Sequence, residues 1–179
     1  MNQSLKVRRL VEVAMIAAIY TYAAAALNLA YQGIQFRFSE ALTILPVFTP
    51  SAIPGLAIGC FLSNLGSPMG IIDWISGTSA TLLAAVLTRL LRNLTVKGLP
   101  VLAPFPPVLT NAVIVGCVIA VTDPAGFSVP LFAAMALSVG LGELAVCYGL
   151  GLPLIAVLKK AGVSKRIFLE SQESPKRLI

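Results

Sequence analysis

The chain has 179 residues, of which 58% are hydrophobic and 11% charged, with a net charge of +6 and no histidine. A soluble domain carries about 25% charged residues, so a water-exposed surface is excluded and a single membrane-integrated domain is expected. The positive charge does not point to nucleic acid, because Lys and Arg gather at the chain ends and in one loop rather than on a basic face interleaved with aromatics.

The first apolar run, Val11 to Ala30, follows Lys6, Arg8 and Arg9. It exceeds the roughly 7–15 residues of a signal-peptide core, and further hydrophobic segments follow it, so a retained first helix from about Leu10 to Tyr31 is expected. At a rise of ~1.5 Å per residue it is long enough for a hydrocarbon core of ~30 Å. Ala14 and Ala18 lie four apart on it and leave a smooth face for another helix, either inside the bundle or on a partner.

Gln32 to Ser39 reads as a loop carrying Phe36 and Arg37. Ser39 can cap the next helix, which places Glu40 in a first turn where the helix dipole favours a negative charge. Glu40 to Phe48 is apolar, short and contains Pro46. Thr49-Pro50-Ser51 reads as a turn, with Pro54 just inside a third helix over Ile53 to Leu65. Each of these two pieces is shorter than the usual ~20 residues of a span. Both chain ends are basic, which puts both on the cytosolic side and requires an even number of crossings; the pair therefore counts as two.

Gly66-Ser67-Pro68-Met69-Gly70 is an external turn. A fourth helix runs from Ile71 to about Arg92, with Asp73 and Trp74 in its first turn and Arg89, Arg92 and Lys97 at its cytosolic end. Pro104, Pro106 and Pro107 open a fifth helix ending near Val121, and Thr122 to Gly126 form the next external turn. The sixth helix runs from about Ser128 to Leu158, with Pro130 and Pro153 as points of shortening or kinking. The expected architecture is an all-α integral membrane protein: six transmembrane helices over residues 1–160, then a cytosolic polar tail over 161–179. Twelve of the thirteen Lys and Arg residues then share one side, and Arg37 is the exception. Cys60, Cys117 and Cys147 are spaced singly and read as small core fillers, neither a disulfide framework nor a zinc motif.

Ionised groups inside lipid are costly and usually line a cavity or a path. Glu40, Asn64, Asp73 and Trp74 fall near the outer ends of helices, with Asn111 and Glu143 deeper, so they can line a pocket open to the outside. Each has a plainer role. Glu40 and Asp73 complement helix dipoles, Asn64 and Asn111 bond between helices, and Trp74 anchors at the headgroups. Asp123, before Pro124, reads as a turn residue. Glu143 has no cation one turn away along its helix, so it pairs across the bundle, binds a ligand or carries a proton. Carboxylates, amides and an indole together suit a flat heterocycle with N–H donors.

Four blocks carry a resemblance: Gln35-Phe36-Arg37-Phe38-Ser39-Glu40-Ala41-Leu42-Thr43, Ala52 to Cys60 with the following Asn64, Ala103 to Ala112, and Gly140 to Tyr148. In this order they resemble the QueT family of queuosine-precursor transporters. That family belongs to the substrate-binding S components of energy-coupling factor (ECF) importers. The resemblance implies a six-helix S component in a bacterial plasma membrane that captures a 7-deazaguanine derivative (the aminomethyl precursor, queuine or queuosine) from outside. It implies as partners a transmembrane component and two cytosolic ATPases, which use the ATP; the chain has no nucleotide loop and no cofactor of its own. Ala14 and Ala18 match the Ala-x-x-x-Ala pattern by which similar S components contact the transmembrane partner. In the site it implies, Glu143 or Glu40 holds the guanine-like edge, and Asn111 and Asn64 bond its remaining polar atoms. Trp74 or Phe36 covers the ring, Asp73 pairs with the side-chain amine, and Arg37 fastens the first external loop.

The rival readings are a membrane enzyme, a stand-alone secondary transporter and a purely structural subunit. The first lacks histidine, a metal-ligand cluster and a nucleophile elbow. The second usually shows repeated halves, which are not visible here.

Overall fold

The computed structural model describes residues 3–31 except 28, residues 34–160, and residue 162; the side chains of residues 27–36 are outside the description. The expected polar tail therefore lies outside the described residues, apart from Gly162.

Helix α1 is Gln3–Leu27. Strands β1, Leu29–Tyr31, and β2, Ile34–Phe36, pair antiparallel with Tyr31 opposite Ile34. This corrects the expectation that the first helix reaches Tyr31 and that a loop follows. The segment Gln32-Gly33 leaves two residues between the paired strands, a spacing that favours a hairpin.

A 3-10 helix, Phe38–Val47, comes next, entered from Arg37 with no side-chain cap. Ser39 is therefore inside the helix rather than its cap, while Glu40 does occupy the first turn. Such helices rarely exceed three or four residues, and this one is held from outside. Arg89 Nη1 donates to the carbonyls of Pro46 (2.9 Å) and Val47 (3.5 Å), and within the helix Thr43 Oγ1 donates to the Glu40 carbonyl at 2.6 Å. At ~2.0 Å per residue, ten residues reach roughly 20 Å, further than an α-helix of that length.

Three α-helices and a composite helix complete the bundle: α2 Ala52–Asn64, α3 Ile71–Leu91, α4 Phe105–Thr122, then α5 Val129–Val146, a π turn Cys147–Gly151, and α6 Leu152–Lys160. The last three form one rod of 32 residues. Pro153 explains the π turn, because it has no N–H to offer the carbonyl of Gly149 and its ring displaces the turn before it. Ser128 caps α5 by accepting from Leu131 N.

Helices α1 to α5 pack in sequence order, and the 3-10 helix fills their middle, touching α1, α2, α3, α5 and the π turn. The core it joins includes Ile16, Tyr20, Ile44, Leu45, Phe48, Leu56, Cys60, Ala85 and Ile155. Large apolar side chains such as Leu10, Ile19, Ile75, Leu90, Leu137 and Val157 point outward and are exposed. A bundle with polar groups inside and apolar groups outside has lipid as its solvent. Among the described residues four helices are long and apolar enough to cross a membrane: Gln3–Ala26, Ile71–Leu91, Phe105–Thr122 and Val129–Lys160. Phe38–Val47 and Ala52–Asn64 are shorter apolar helices.

Two close crossings set the register of the bundle. On α2, a Cβ at Gly55 would stand 2.9 Å from Ile16 Cβ, and one at Gly59 would stand 2.8 Å from Tyr20 Cβ. On α4, a Cβ at Gly116 would stand 2.8 Å from Ala136 Cα, while Gly140 of α5 faces Ala112. These Gly-x-x-x-Gly and small-x-x-x-small pairs let backbones approach closely. Ala14 and Ala18 are not among them: both are exposed, while Ile16, Ala17 and Tyr20 turn inward. The inside-the-bundle reading of those two alanines is thereby corrected.

One end of the bundle collects basic groups. There Arg89 meets the end of the 3-10 helix, and Lys159 Nζ donates to the Gly98 carbonyl at 2.9 Å. Asp73 and Asp123 lie at opposite ends of α3 and α4 from that site.

Candidate functional site

The crossing of α4 and α5 carries one functional consequence directly. One turn beyond the Ala112–Gly140 contact, Asn111 and Glu143 come into register, and Asn111 Nδ2 donates to Glu143 Oε1 at 2.8 Å. Glu143 is 1% exposed and Asn111 0%. Of the roles open to Glu143, pairing across the bundle is observed, and its partner is an amide rather than a cation.

The first turn of the 3-10 helix brings up the second carboxylate. Glu40 is 0% exposed. Its Oε1 accepts from Tyr20 Oη at 2.5 Å and stands 3.6 Å from Arg37 Nη2. Burial opposes the charge of Arg37 most strongly, but Glu40 together with Tyr20, Cys60 and Glu143 more than compensates, so the guanidinium pKa lies above its ordinary value. Cys147 joins the Glu143 side chain to the backbone of Glu40. Its thiol is 3.6 Å from Glu143 Oε2 and 3.6 Å from the Glu40 carbonyl oxygen. Two buried polar atoms here have no partner among the described residues, Glu40 Oε2 and Asn111 Oδ1. A buried polar atom without a partner usually costs about 1–3 kcal/mol, so such an atom is a natural docking point for a ligand or water. Both are acceptors.

Asn64, Asp73 and Trp74 form a separate group at the α2–α3 turn. Asn64 Nδ2 donates to the Asp73 carbonyl (3.3 Å) and to Cys60 Sγ (3.5 Å), and Gly77 leaves the space it occupies. Ser67 Oγ donates to Asp73 Oδ2 at 2.6 Å. The Trp74 ring meets Phe61 edge-on at 6.3 Å, and its buried Nε1 has no partner among the described residues; the same holds for Thr78 Oγ1, one turn along α3. Trp74 is half-buried, with its indole nitrogen turned into protein. Asp123 does hold a turn, accepting from Ala125 N at 2.8 Å.

The structure thus joins Arg37, Glu40, Asn111 and Glu143, and keeps Asn64, Asp73 and Trp74 as a second group. The Phe36 side chain lies outside the described residues. An apolar groove of about 410 Å³ between α3 and α4, lined by Ile72, Val113, Ile114, Cys117, Val118, Val121 and Thr122, includes none of these residues. Sequence reasoning missed Tyr20, whose hydroxyl in the middle of an apolar helix was the available signal. It missed Cys147, one turn after Glu143. It also passed over Glu12, a buried acid near the basic end that accepts from Thr49 Oγ1 at 3.1 Å. Of the three cysteines read as core fillers, Cys60 and Cys147 are buried, whereas Cys117 is exposed and lines the groove.

No curated protein and no solved structure matches the chain significantly. The family model for the QueT transporter matches residues 10–160, which span every helix from the body of α1 to the end of α6. This match covers most of the chain and agrees with a lipid-facing helical bundle that buries a polar cluster: the protein belongs to the QueT transporter family.

Proposed function

We propose that this chain is the substrate-binding S component of an ECF importer, and that it captures a 7-deazaguanine derivative (the aminomethyl precursor, queuine or queuosine) outside the cell. The observation that carries the reading is the buried cluster of Arg37, Glu40, Asn111 and Glu143, with acceptors Glu40 Oε2 and Asn111 Oδ1 unpartnered among the described residues. A guanine-like ring edge offers neighbouring N–H donors that match such acceptors. Asn64, Asp73 and Trp74 form the outer part of the path, Trp74 or Phe36 covers the ring, and Asp73 meets a ligand amine during entry. Glu40, Asn111 and Glu143 are closed to solvent in this structure, so ligand entry requires a shift of the surrounding elements.

The wider assembly belongs to the same proposal. The bundle crosses six times, with Phe38–Val47 and Ala52–Asn64 as the short crossings and both termini in the cytosol of a bacterium. The exposed Ala14 and Ala18 suit close contact with a transmembrane partner, which couples the subunit to two cytosolic ATPases. The chain needs no cofactor; ATP is consumed by those partners.

The test is mass spectrometry of small molecules carried by the detergent-purified chain, followed by calorimetry with 7-aminomethyl-7-deazaguanine. A carried or tightly bound deazaguanine is expected. Its absence from both measurements refutes the substrate, and uptake without the ATPases refutes the S-component assignment in favour of a stand-alone carrier.

A further inference from the structure

The buried cluster has an unbalanced charge count. Among the described residues Glu40 and Glu143 face one guanidinium, Arg37, and in the sequence the other Lys and Arg residues belong to chain ends and the basic loop. Among the described residues, the elements packed around the pair add no second cation beside them. Helix α1 contributes Tyr20, α2 contributes Cys60, and the π turn contributes Cys147. On α3 the ionisable groups Asp73 and Arg89 stand at its two ends, Arg89 on the Pro46 carbonyl. On α4 the ionisable group is Cys117, which is exposed. Strand β2 has no ionisable residue, and Tyr31 of β1 adds no cation.

The two carboxylates differ in their company. Glu40 Oε1 has the guanidinium and a donating phenol. Among the described residues Glu143 has the Asn111 amide and the Cys147 thiol. An unpaired charge inside a protein is expensive, and the group neutralises itself when it can. The unpartnered Glu40 Oε2 and Asn111 Oδ1, both in fully buried residues, are a second, independent sign that a donor belongs here.

From this juxtaposition we infer that the empty site holds one exchangeable proton on Glu143, and that a cationic N–H-donating ligand displaces it on binding. The inference rests on the proposed substrate-binding role and adds its charge rule. In the exchange the Glu143 O–H bond breaks, the proton passes to solvent buffer, and the ligand cation takes its place beside the carboxylate. The cluster is neutral before and after. A neutral ligand of the same shape binds with the proton retained.

The test uses the full-length protein in detergent and two probes, 7-aminomethyl-7-deazaguanine as the cation and 7-cyano-7-deazaguanine as its neutral counterpart. Titration calorimetry at one pH in buffers of different ionisation enthalpy counts the protons released. About one proton per cation is expected and none for the nitrile, and cation affinity should rise by about tenfold per pH unit while Glu143 is still protonated. Glu143→Gln should abolish the proton release and weaken the cation about thirtyfold or more, a clearly larger loss than that of the nitrile. Binding of both probes with no proton release, or equal loss of both in the variant, overturns the exchange and leaves the binding role standing. Failure of the unaltered protein to bind either probe overturns the binding role, and the exchange with it.

Discussion

Gly116→Ala tests whether the α4–α5 crossing builds the site. The new methyl would stand 2.8 Å from Ala136 Cα and 2.9 Å from its backbone nitrogen, while ordinary contact begins at 3.4 Å. Both obstacles are backbone, so no side chain can swing away and the helices must part by about 0.6 Å, a clash of the overpacking kind. The same separation stretches the Asn111–Glu143 hydrogen bond from 2.8 Å to about 3.4 Å, where it is weak. Overpacking costs about 1–3 kcal/mol, offset by about 1 kcal/mol from the better helix propensity of alanine. The weakened bond is worth about 1–1.5 kcal/mol, or about five- to tenfold in Kd. Calorimetry with 7-aminomethyl-7-deazaguanine and a thermal melt in the same detergent measure both effects. Gly149→Ala is the control, because nothing lies within 4 Å of its Cβ position. An unchanged Kd for Gly116→Ala, or an equal loss in the control, refutes the claim that this crossing sets the site geometry.

Four further outcomes are expected. Tyr20→Phe removes the donor to Glu40 Oε1 and should weaken binding about tenfold or more, since hydrogen bonds to charged groups are worth about 1.5–3 kcal/mol; calorimetry on the variant reads this, and an unaltered Kd would separate Tyr20 from the site. Arg89→Gln frees the Pro46 and Val47 carbonyls and should cost about 1–3 kcal/mol of stability, visible as a lower melting temperature. Ala18→Leu on the exposed face should leave Kd within about twofold yet abolish ATP-driven uptake by the whole importer, and normal uptake would remove this face from the partner contact. In a maleimide time course, Cys117 should react first, because Cys60 and Cys147 are buried; fast labelling of either buried thiol would contradict the packing around the 3-10 helix.

Much of the architecture was legible along the chain. Apolar length marked α3, α4 and the composite last helix nearly to their observed ends, because a span in lipid needs an unbroken apolar run and any turn needs polar, Gly or Pro residues. Glu143, Glu40 and Asn111 were visible for the same reason, since a polar group in such a run has to find a partner. The 3-10 character of Phe38–Val47 was not legible. Its ten residues read as a short α-helix, and the tighter winding survives because Arg89, forty-odd positions away, holds its last carbonyls.

The partners of the site residues also belonged to the tertiary structure. Nothing in the local pattern distinguishes Asn111, which reaches Glu143, from Asn64, which bonds the Asp73 carbonyl. That choice follows from where small residues let the helices close, Gly116 on Ala136 and Gly77 against Asn64. Burial can be read one helix at a time, because lipid penalises polarity locally. Pairing needs the register between helices, and close packing sets that register only once both backbones are in place.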